Sequence, residues 1–309
     1  MLDKNAKIWV AGQETLLGAA IQHLLERQGF LNLVDTPRGL DLTQQEPTEA
    51  FLGESQPTYI FMAAGASGGI QANQQFPADL MRDNLLVATH LLDSAYRHGV
   101  KRLLYLASSC SYPRDCPQPM QTEALMSGPL EPTNAAYATA KLAGIALCQA
   151  YRQQYGADFF AVIPANSYGP GDDFGTENAH VVSALIRRMH LAKQENAECV
   201  TLWGSGQARR EFAYAEDLAD ACLFAMSHFR GQTPLNIGSD EEVSIAELAE
   251  VVRSVVGYTG ELRFDSTRPD GMPLKCLDTS LLRAMGWTPS TSLYQGLKST
   301  YAWFLKNTH

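Results

Sequence analysis

Tyr137 and Lys141 stand four residues apart in Tyr137-Ala-Thr-Ala-Lys141, inside a helical pattern, so both fall on one helix face. An ammonium beside a phenol favours phenolate and draws the tyrosine toward general acid–base duty. About thirty residues upstream, a strand pattern ending in Leu106-Ala107 delivers Ser108-Ser109-Cys110 to the carboxyl edge of a sheet. Ligands of open α/β sheets collect at that edge. Protons beside a ketone are acidic because the enolate is delocalised, and the hydroxyls of Ser108 and Tyr137 are suited to stabilise such an oxyanion. Inverting a carbon needs a base on one face and an acid on the other. A thiol and an imidazole, with ordinary pKa values of about 8.5 and 6.5, are close enough to neutrality to alternate in those roles. Cys110 is such a thiol and His180 such an imidazole, and what pairs them is the resemblance set out below. Each residue type also has a plainer reading. A bare Tyr-x-x-x-Lys pair is usually an exposed pair, a lone cysteine usually a small core residue, and a lone histidine usually structural. His23, His90, His98, His190, His228 and His309 read that way, whereas motif context lifts Cys110 and His180.

These groups need a frame. The chain opens with a strand-like run at 7–11, the turn Gly12-Gln-Glu-Thr15-Leu16-Leu17-Gly18, an amphipathic stretch at 19–28, and a second strand at 30–34 ending in Asp35. Strand, glycine turn, helix, strand and terminal acid make the first half of a dinucleotide-binding unit. Amides at the helix start hold a pyrophosphate, and the glycines allow close approach. Further apolar strands at 59–63, 102–107 and 159–163 alternate with helical patterns at 77–98 and 138–155. This predicts an α/β fold, a Rossmann-type doubly wound parallel sheet with a smaller C-terminal α/β substrate lobe. After Asn166-Ser-Tyr-Gly-Pro170 the alternation breaks. A loop at 171–176, helices at 179–193, 216–228, 245–256 and 293–306, and a short strand at 235–238 follow. The expected division is a dinucleotide-binding domain of 1–165 plus about 211–240 and a substrate domain of about 166–210 plus 241–309.

The sequence resembles the GDP-L-fucose synthase family of the extended short-chain dehydrogenase/reductases nearly end to end. The residues that carry this are Ser108-Ser-Cys110-Ser-Tyr-Pro113, Gln118-Pro-Met120, Leu130-Glu-Pro-Thr-Asn134, Tyr137-Ala-Thr-Ala-Lys141, Tyr168-Gly-Pro170, Asn178-Ala-His180-Val181, Trp203-Gly-Ser-Gly206, Arg210-Glu-Phe212 and Arg268-Pro-Asp-Gly271. The resemblance implies epimerisation of GDP-4-keto-6-deoxy-D-mannose at C3 and C5, then reduction at C4 by a nicotinamide hydride. It implies Tyr137 as proton donor to the C4 oxygen, Lys141 tuning it and holding the ribose, Ser108 on the keto oxygen, and Cys110 with His180 as the epimerisation pair. Gly12, Thr15, Leu16, Leu17, Gly18, Asp35, Arg38, Ala63, Ala64, Lys141, Pro164 and Asn166 are the expected NAD(P)H contacts. Asn166, Val181, Arg188, Trp203, Arg210 and Lys275 are the expected substrate contacts, with forked guanidinium donors matching a diphosphate. Trp203 also reads as a plain lobe-core aromatic. A homodimer through the helices at 77–98 and 138–155 is expected from the family.

The chain departs from the family at the cofactor. Glu14 and Thr15 replace an arginine and the middle glycine, and Asp35 ends the second strand where basic residues usually receive the 2′-phosphate of NADP. A carboxylate there accepts hydrogen bonds from a free ribose 2′-OH. Only Arg38 offsets the two carboxylates, which leans the family's NADPH preference toward NAD(H). Thr15 adds a side chain where the pyrophosphate approaches, predicting weak binding. Two alternatives stand beside the synthase reading: an epimerase of a 4-keto hexose or heptose nucleotide with little reduction, and a non-catalytic cofactor-binding protein. The complete set of Ser108, Cys110, Tyr137, Lys141 and His180 argues against the latter.

Composition excludes several other classes. Among 309 residues, 45% are hydrophobic and 18% charged, which is globular, and a net charge of −9 without a basic stripe argues against a nucleic-acid partner. No apolar run reaches the roughly 18 residues of a membrane span, and the start lacks a signal-peptide core. Six scattered cysteines without metal-type spacing fit reduced thiols in a cytoplasm.

Overall fold

The computed structural model describes residues 2–175, 179–268 and 272–307. Thr176, Asn178, Pro269-Asp270-Gly271 and His309, singled out above, lie outside the described residues. The strands are β1 (Ile8–Ala11), β2 (Leu33–Val34), β3 (Tyr59–Met62), β4 (Arg102–Leu106), β5 (Phe159–Pro164), β6 (Asn166–Tyr168), β7 (Cys199–Trp203), β8 (Arg209–Tyr214), β9 (Leu235–Ile237), β10 (Glu242–Ser244), β11 (Glu261–Asp265) and β12 (Leu274–Lys275). The helices are α1 (Leu16–Arg27), α2 (Gln45–Ser55), α3 (Ile70–Gln75), α4 (Pro77–Arg97), α5 (Ala135–Tyr155), α6 (Val181–Gln194), α7 (Ala215–His228), α8 (Ile245–Val256), α9 (Ser280–Ala284) and α10 (Leu293–Asn307).

Strands buried on both faces need apolar side chains at every position, and β1, β4 and β5 are buried throughout. They belong to a six-stranded sheet in the order β2-β1-β3-β4-β5-β9, with every pairing parallel. The chain leaves β1 toward β2 and then crosses to β3 on the other side. That reversal opens a crevice at the carboxyl ends of β1 and β3, the ligand position of such sheets. α1 packs against α7 on one face and α4 against α5 on the other. β2 is shorter than the sequence predicts because it is an edge strand held only by β1.

A second apolar core gathers Tyr168, Phe174, Val182, Ile186, Leu202, Phe212, Leu248 and Phe304, drawn from β6 and the loop after it, β7, β8, α6, α8 and α10. Around it β8 pairs with β6, β10 and β12, while β11 and β7 form a separate parallel pair. Buried Glu211 on β8 ties these pieces together, accepting the amides of Ser239 (2.7 Å), Asp240 (3.1 Å) and Leu277 (2.9 Å). Burial pushes its carboxyl up, against the pull of those amides. Among the described residues, no helix is long and apolar enough to cross a membrane.

Candidate active site

The dinucleotide turn joins β1 to α1. Gly12 sits at φ +84°, and a Cβ there would lie 2.5 Å from the Ala64 amide nitrogen, so β1 and β3 approach too closely for any side chain. A Cβ on Gly18 would lie 1.9 Å from the Gly12 carbonyl oxygen. Thr15 commits its hydroxyl to the turn itself. Its Oγ1 donates to the Gly12 carbonyl at 2.8 Å and accepts the Gly18 amide at 3.1 Å, capping α1 from inside the turn. The first amides of α1, on Leu16 and Leu17, have no carbonyl within the helix to bond and remain available to an anion. Ala63 and Ala64 follow β3, Pro164 ends β5, and Lys141 is buried behind them, so these residues fit a dinucleotide laid across the carboxyl edge. Glu14, Asp35 and Arg38 are all exposed. The register Ile8↔Leu33 and Trp9↔Val34 continues to set Asp35 level with Val10, two residues before the glycine turn begins. Asn166 Nδ2 donates to the Glu211 carbonyl at 2.8 Å, which ties β6 to β8.

At the end of β4 the chain turns through a short 3₁₀ segment, Ser109–Ser111, capped by Ser108, whose Oγ accepts the Cys110 amide at 3.2 Å. Facing it is the start of α5. Burial pushes the Tyr137 phenol well above its ordinary range, the neighbouring Cys110 adds to that, and a hydrogen bond with Ser108 opposes it. Lys141 is 6% exposed, donates to the Leu106 carbonyl at 3.2 Å, and is pushed down to about 8 by burial. Its ammonium lies 5.2 Å from the Tyr105 ring centroid and 5.9 Å from that of Tyr137. Without substrate, burial thus outweighs the lysine's expected pull on the phenol. The Cys110 sulfur receives Asn134 Nδ2 at 3.2 Å and Lys275 Nζ at 3.6 Å. Ser108, Cys110, Tyr137, Lys141 and Lys275 therefore form one cluster.

His180 stands at the N-terminal boundary of α6, its side chain 45% exposed. Nδ1 lies 3.5 Å from Asp172 Oδ1, and the buried Asp172 carboxylate also accepts Ser183 Oγ at 2.9 Å and the Asp173 amide at 2.9 Å. The hydrogen bond to Asp172 raises the imidazole pKa, burial opposes it, and the charges of Asp172 and Asp173 add to the rise. Among the described residues, no hydrogen bond or ion pair joins His180 to the Cys110 cluster.

The expected substrate contacts divide. Lys275 pairs with Arg210 across β12 and β8, bringing two cations side by side. Val181 opens α6 and is exposed. Arg188 is exposed and donates to the Thr201 carbonyl, and partial desolvation lowers its pKa. Trp203 is 65% exposed beneath the Arg268 guanidinium at 5.1 Å, so it is not a lobe-core aromatic. Asn134, named above only within a motif, and Asp172 were given no site role from sequence, because asparagine before a helix and aspartate in a glycine turn are ordinary there.

A glycine turn feeding a helix, a strand-borne serine and a Tyr–Lys pair on the facing helix define a nicotinamide-dinucleotide enzyme of the short-chain dehydrogenase/reductase class. Residues 8–238 match the NAD dependent epimerase/dehydratase family. GDP-L-fucose synthase 1 of Arabidopsis thaliana is 52% identical over 99% of this chain and 95% of that protein. A GDP-mannoheptose C4 reductase from Campylobacter jejuni with NADP bound is 32% identical with a TM-score of 0.90, covering 99% of this chain and 100% of that one. A GDP-L-fucose synthetase from Naegleria fowleri bound to NADP is 27% identical with a TM-score of 0.90, covering 99% and 96%. The chain belongs to the NAD dependent epimerase/dehydratase family and, within it, to the GDP-L-fucose synthase family.

Proposed function

We propose that this protein epimerises a GDP-4-keto-6-deoxy sugar at C3 and C5 and then reduces C4, as its family does. The observation that carries the reading is the cluster of Ser108, Cys110, Tyr137 and Lys275 at the carboxyl edge of β4, beside the start of α5. Cys110 removes the proton beside the carbonyl, and the Ser108 and Tyr137 hydroxyls hold the resulting enolate oxygen. His180, kept basic by Asp172, returns a proton to the opposite face. A reduced nicotinamide cofactor held at the glycine turn would supply the hydride for C4, and Tyr137 would give its hydroxyl proton to O4, completing the alcohol. Lys141 lies along the same helix face to replace the charge balance when that proton leaves. Arg188, Arg210 and Lys275 supply cations for the diphosphate, and Trp203 and Val181 border it.

The cofactor preference leans toward NAD(H). The two related structures hold NADP, but exposed Glu14 and Asp35 face a 2′-phosphate with only Arg38 in compensation. The two apolar cores support a two-lobe division of 1–165 plus about 211–240 and about 166–210 plus 241–309, although Phe212 and Tyr214 pack into the second core and Leu277, Leu282 and Trp287 into the first. A homodimer through α4 and α5 is supported by the partly exposed, stacked rings of Tyr96 and Tyr155 on those helices, 4.4 Å apart. Six unpaired cysteines suit a reducing cytoplasm.

Product analysis tests the function. Incubation with GDP-4-keto-6-deoxy-D-mannose and reduced cofactor should give a 6-deoxyhexose inverted at C3 and C5 by NMR. A reduced product with neither carbon inverted contradicts the epimerase half. Absence of turnover with this sugar, together with turnover of a 4-keto heptose nucleotide, moves the substrate class.

A further inference from the structure

An asparagine at the boundary before a helix ordinarily turns its side-chain oxygen onto the first free amides. Asn134 occupies that boundary before α5, a helix of 21 residues, and makes no such bond. Its Nδ2 instead donates to the Cys110 sulfur at 3.2 Å. Its Oδ1 is buried without a hydrogen-bond partner. Both arrangements cost stability, one through a missing cap and the other through an unsatisfied buried acceptor. A side chain held at such a cost points to something outside the folded chain's own needs.

The sulfur's surroundings say what that is. Lys275 on β12 approaches it at 3.6 Å, so two donors from separate elements meet one sulfur beside the start of a long helix. Donors, a cation and a helix N-terminus are the features that favour thiolate over thiol. A base that removes a carbon-bound proton must also hold its lone pair in one direction, and a carboxamide fixed by the backbone of α5 restricts the sulfur's rotation. The geometry points to Asn134 as a positioning residue that holds the Cys110 thiolate with Nδ2, while its unpaired Oδ1 accepts a hydroxyl of the bound sugar. This rests on the reading of Cys110 as the epimerisation base.

Two substitutions separate the two contacts. Asn134→Asp keeps an acceptor oxygen but replaces the donor with a like charge beside the sulfur. Asn134→Ala removes both. The first readout needs no substrate: site-resolved alkylation of the full-length protein by iodoacetamide, with peptide mass spectrometry following Cys110 and using Cys199 and Cys276 as internal controls. Cys110 alkylation is expected to slow about tenfold in both variants, with the controls unchanged. The second readout is solvent deuterium entering C3 and C5. Turnover for that exchange should fall about tenfold in both, whereas KM should rise about tenfold only in Asn134→Ala. Asn134→Ser, whose hydroxyl can cap α5, serves if the other variants do not fold. Cys110 alkylation within twofold of wild type in Asn134→Asp overturns the thiolate role. An unchanged KM in Asn134→Ala overturns the sugar contact. Because alkylation is read without substrate, failure of the synthase reading itself shows separately, as absent exchange in wild type with the alkylation effect intact.

Discussion

Replacing Glu14 by arginine should shift the cofactor preference toward NADPH by about tenfold through charge alone. Glu14 is exposed in the glycine turn after β1, and exposed Asp35 follows the neighbouring strand β2. Two unit charges about 5 Å apart in water interact by roughly 0.8 kcal/mol. A phosphate monoester carries roughly 1.5 to 2 charges near neutrality, giving about 1.4 kcal/mol per carboxylate. A Debye length of about 8 Å at physiological salt roughly halves this, to ~0.7 kcal/mol, about threefold in Kd. Reversing the charge counts that step twice, hence about tenfold. A guanidinium that forks onto the phosphate adds to it. The assay is paired titration of wild type and Glu14→Arg with NADH and NADPH at low and high salt. Wild type should favour NADH, and the variant's change should shrink at high salt. Clearly tighter NADPH binding by wild type, or a ratio changed less than twofold at low salt, would falsify the charge argument.

Other outcomes follow from the site and the core. Asp172→Asn removes the main cause of the raised His180 pKa, so the protonated imidazole is lost at lower pH. Carbon-proton exchange should then lose its alkaline side first, while an unmoved pH profile would detach Asp172 from the chemistry. Lys141, pushed down to about 8, loses its ammonium as pH rises past that value. The rate of C4 reduction should therefore decline above about pH 8 in wild type, and Lys141→Met should be slow at every pH. Away from the site, buried Arg102 pairs with Asp158 at 2.7 Å and lies 4.6 Å over the Phe160 ring. Asp158→Ala leaves that charge unpaired, and with Asp158 itself 34% exposed the cost is roughly 2–3 kcal/mol. A Tm lowered by about 4–10 °C in calorimetry is the expected reading, and an unchanged Tm would refute it.

The sequence announced most of what positions this site. α8 is bounded at Ile245 and Val256 because Ser244 and Glu247 form a capping box and Gly257 ends the helix in a left-handed conformation. The Tyr137–Lys141 spacing and the apolar runs of β1, β4 and β5 are local signals of the same kind. α2 was not read because it carries Pro47 and buries only Thr48 and Leu52, leaving little periodicity. The second-lobe strands were missed for another reason. β11 pairs with β7 and β12 with β8 across long stretches of chain, and no short window contains both partners. The direction of the Thr15 hydroxyl, and the meeting of Asn134, Lys275 and Cys110 at one sulfur, likewise depend on tertiary contact.

The most direct test of the epimerase-reductase reading mixes the protein with GDP-4-keto-6-deoxy-D-mannose in deuterated water, with NADH and NADPH in parallel. Nicotinamide oxidation accompanied by deuterium at both C3 and C5 is the predicted result, with both label positions lost in Cys110→Ser. Oxidation without label at either carbon, or label that survives in Cys110→Ser, would contradict it.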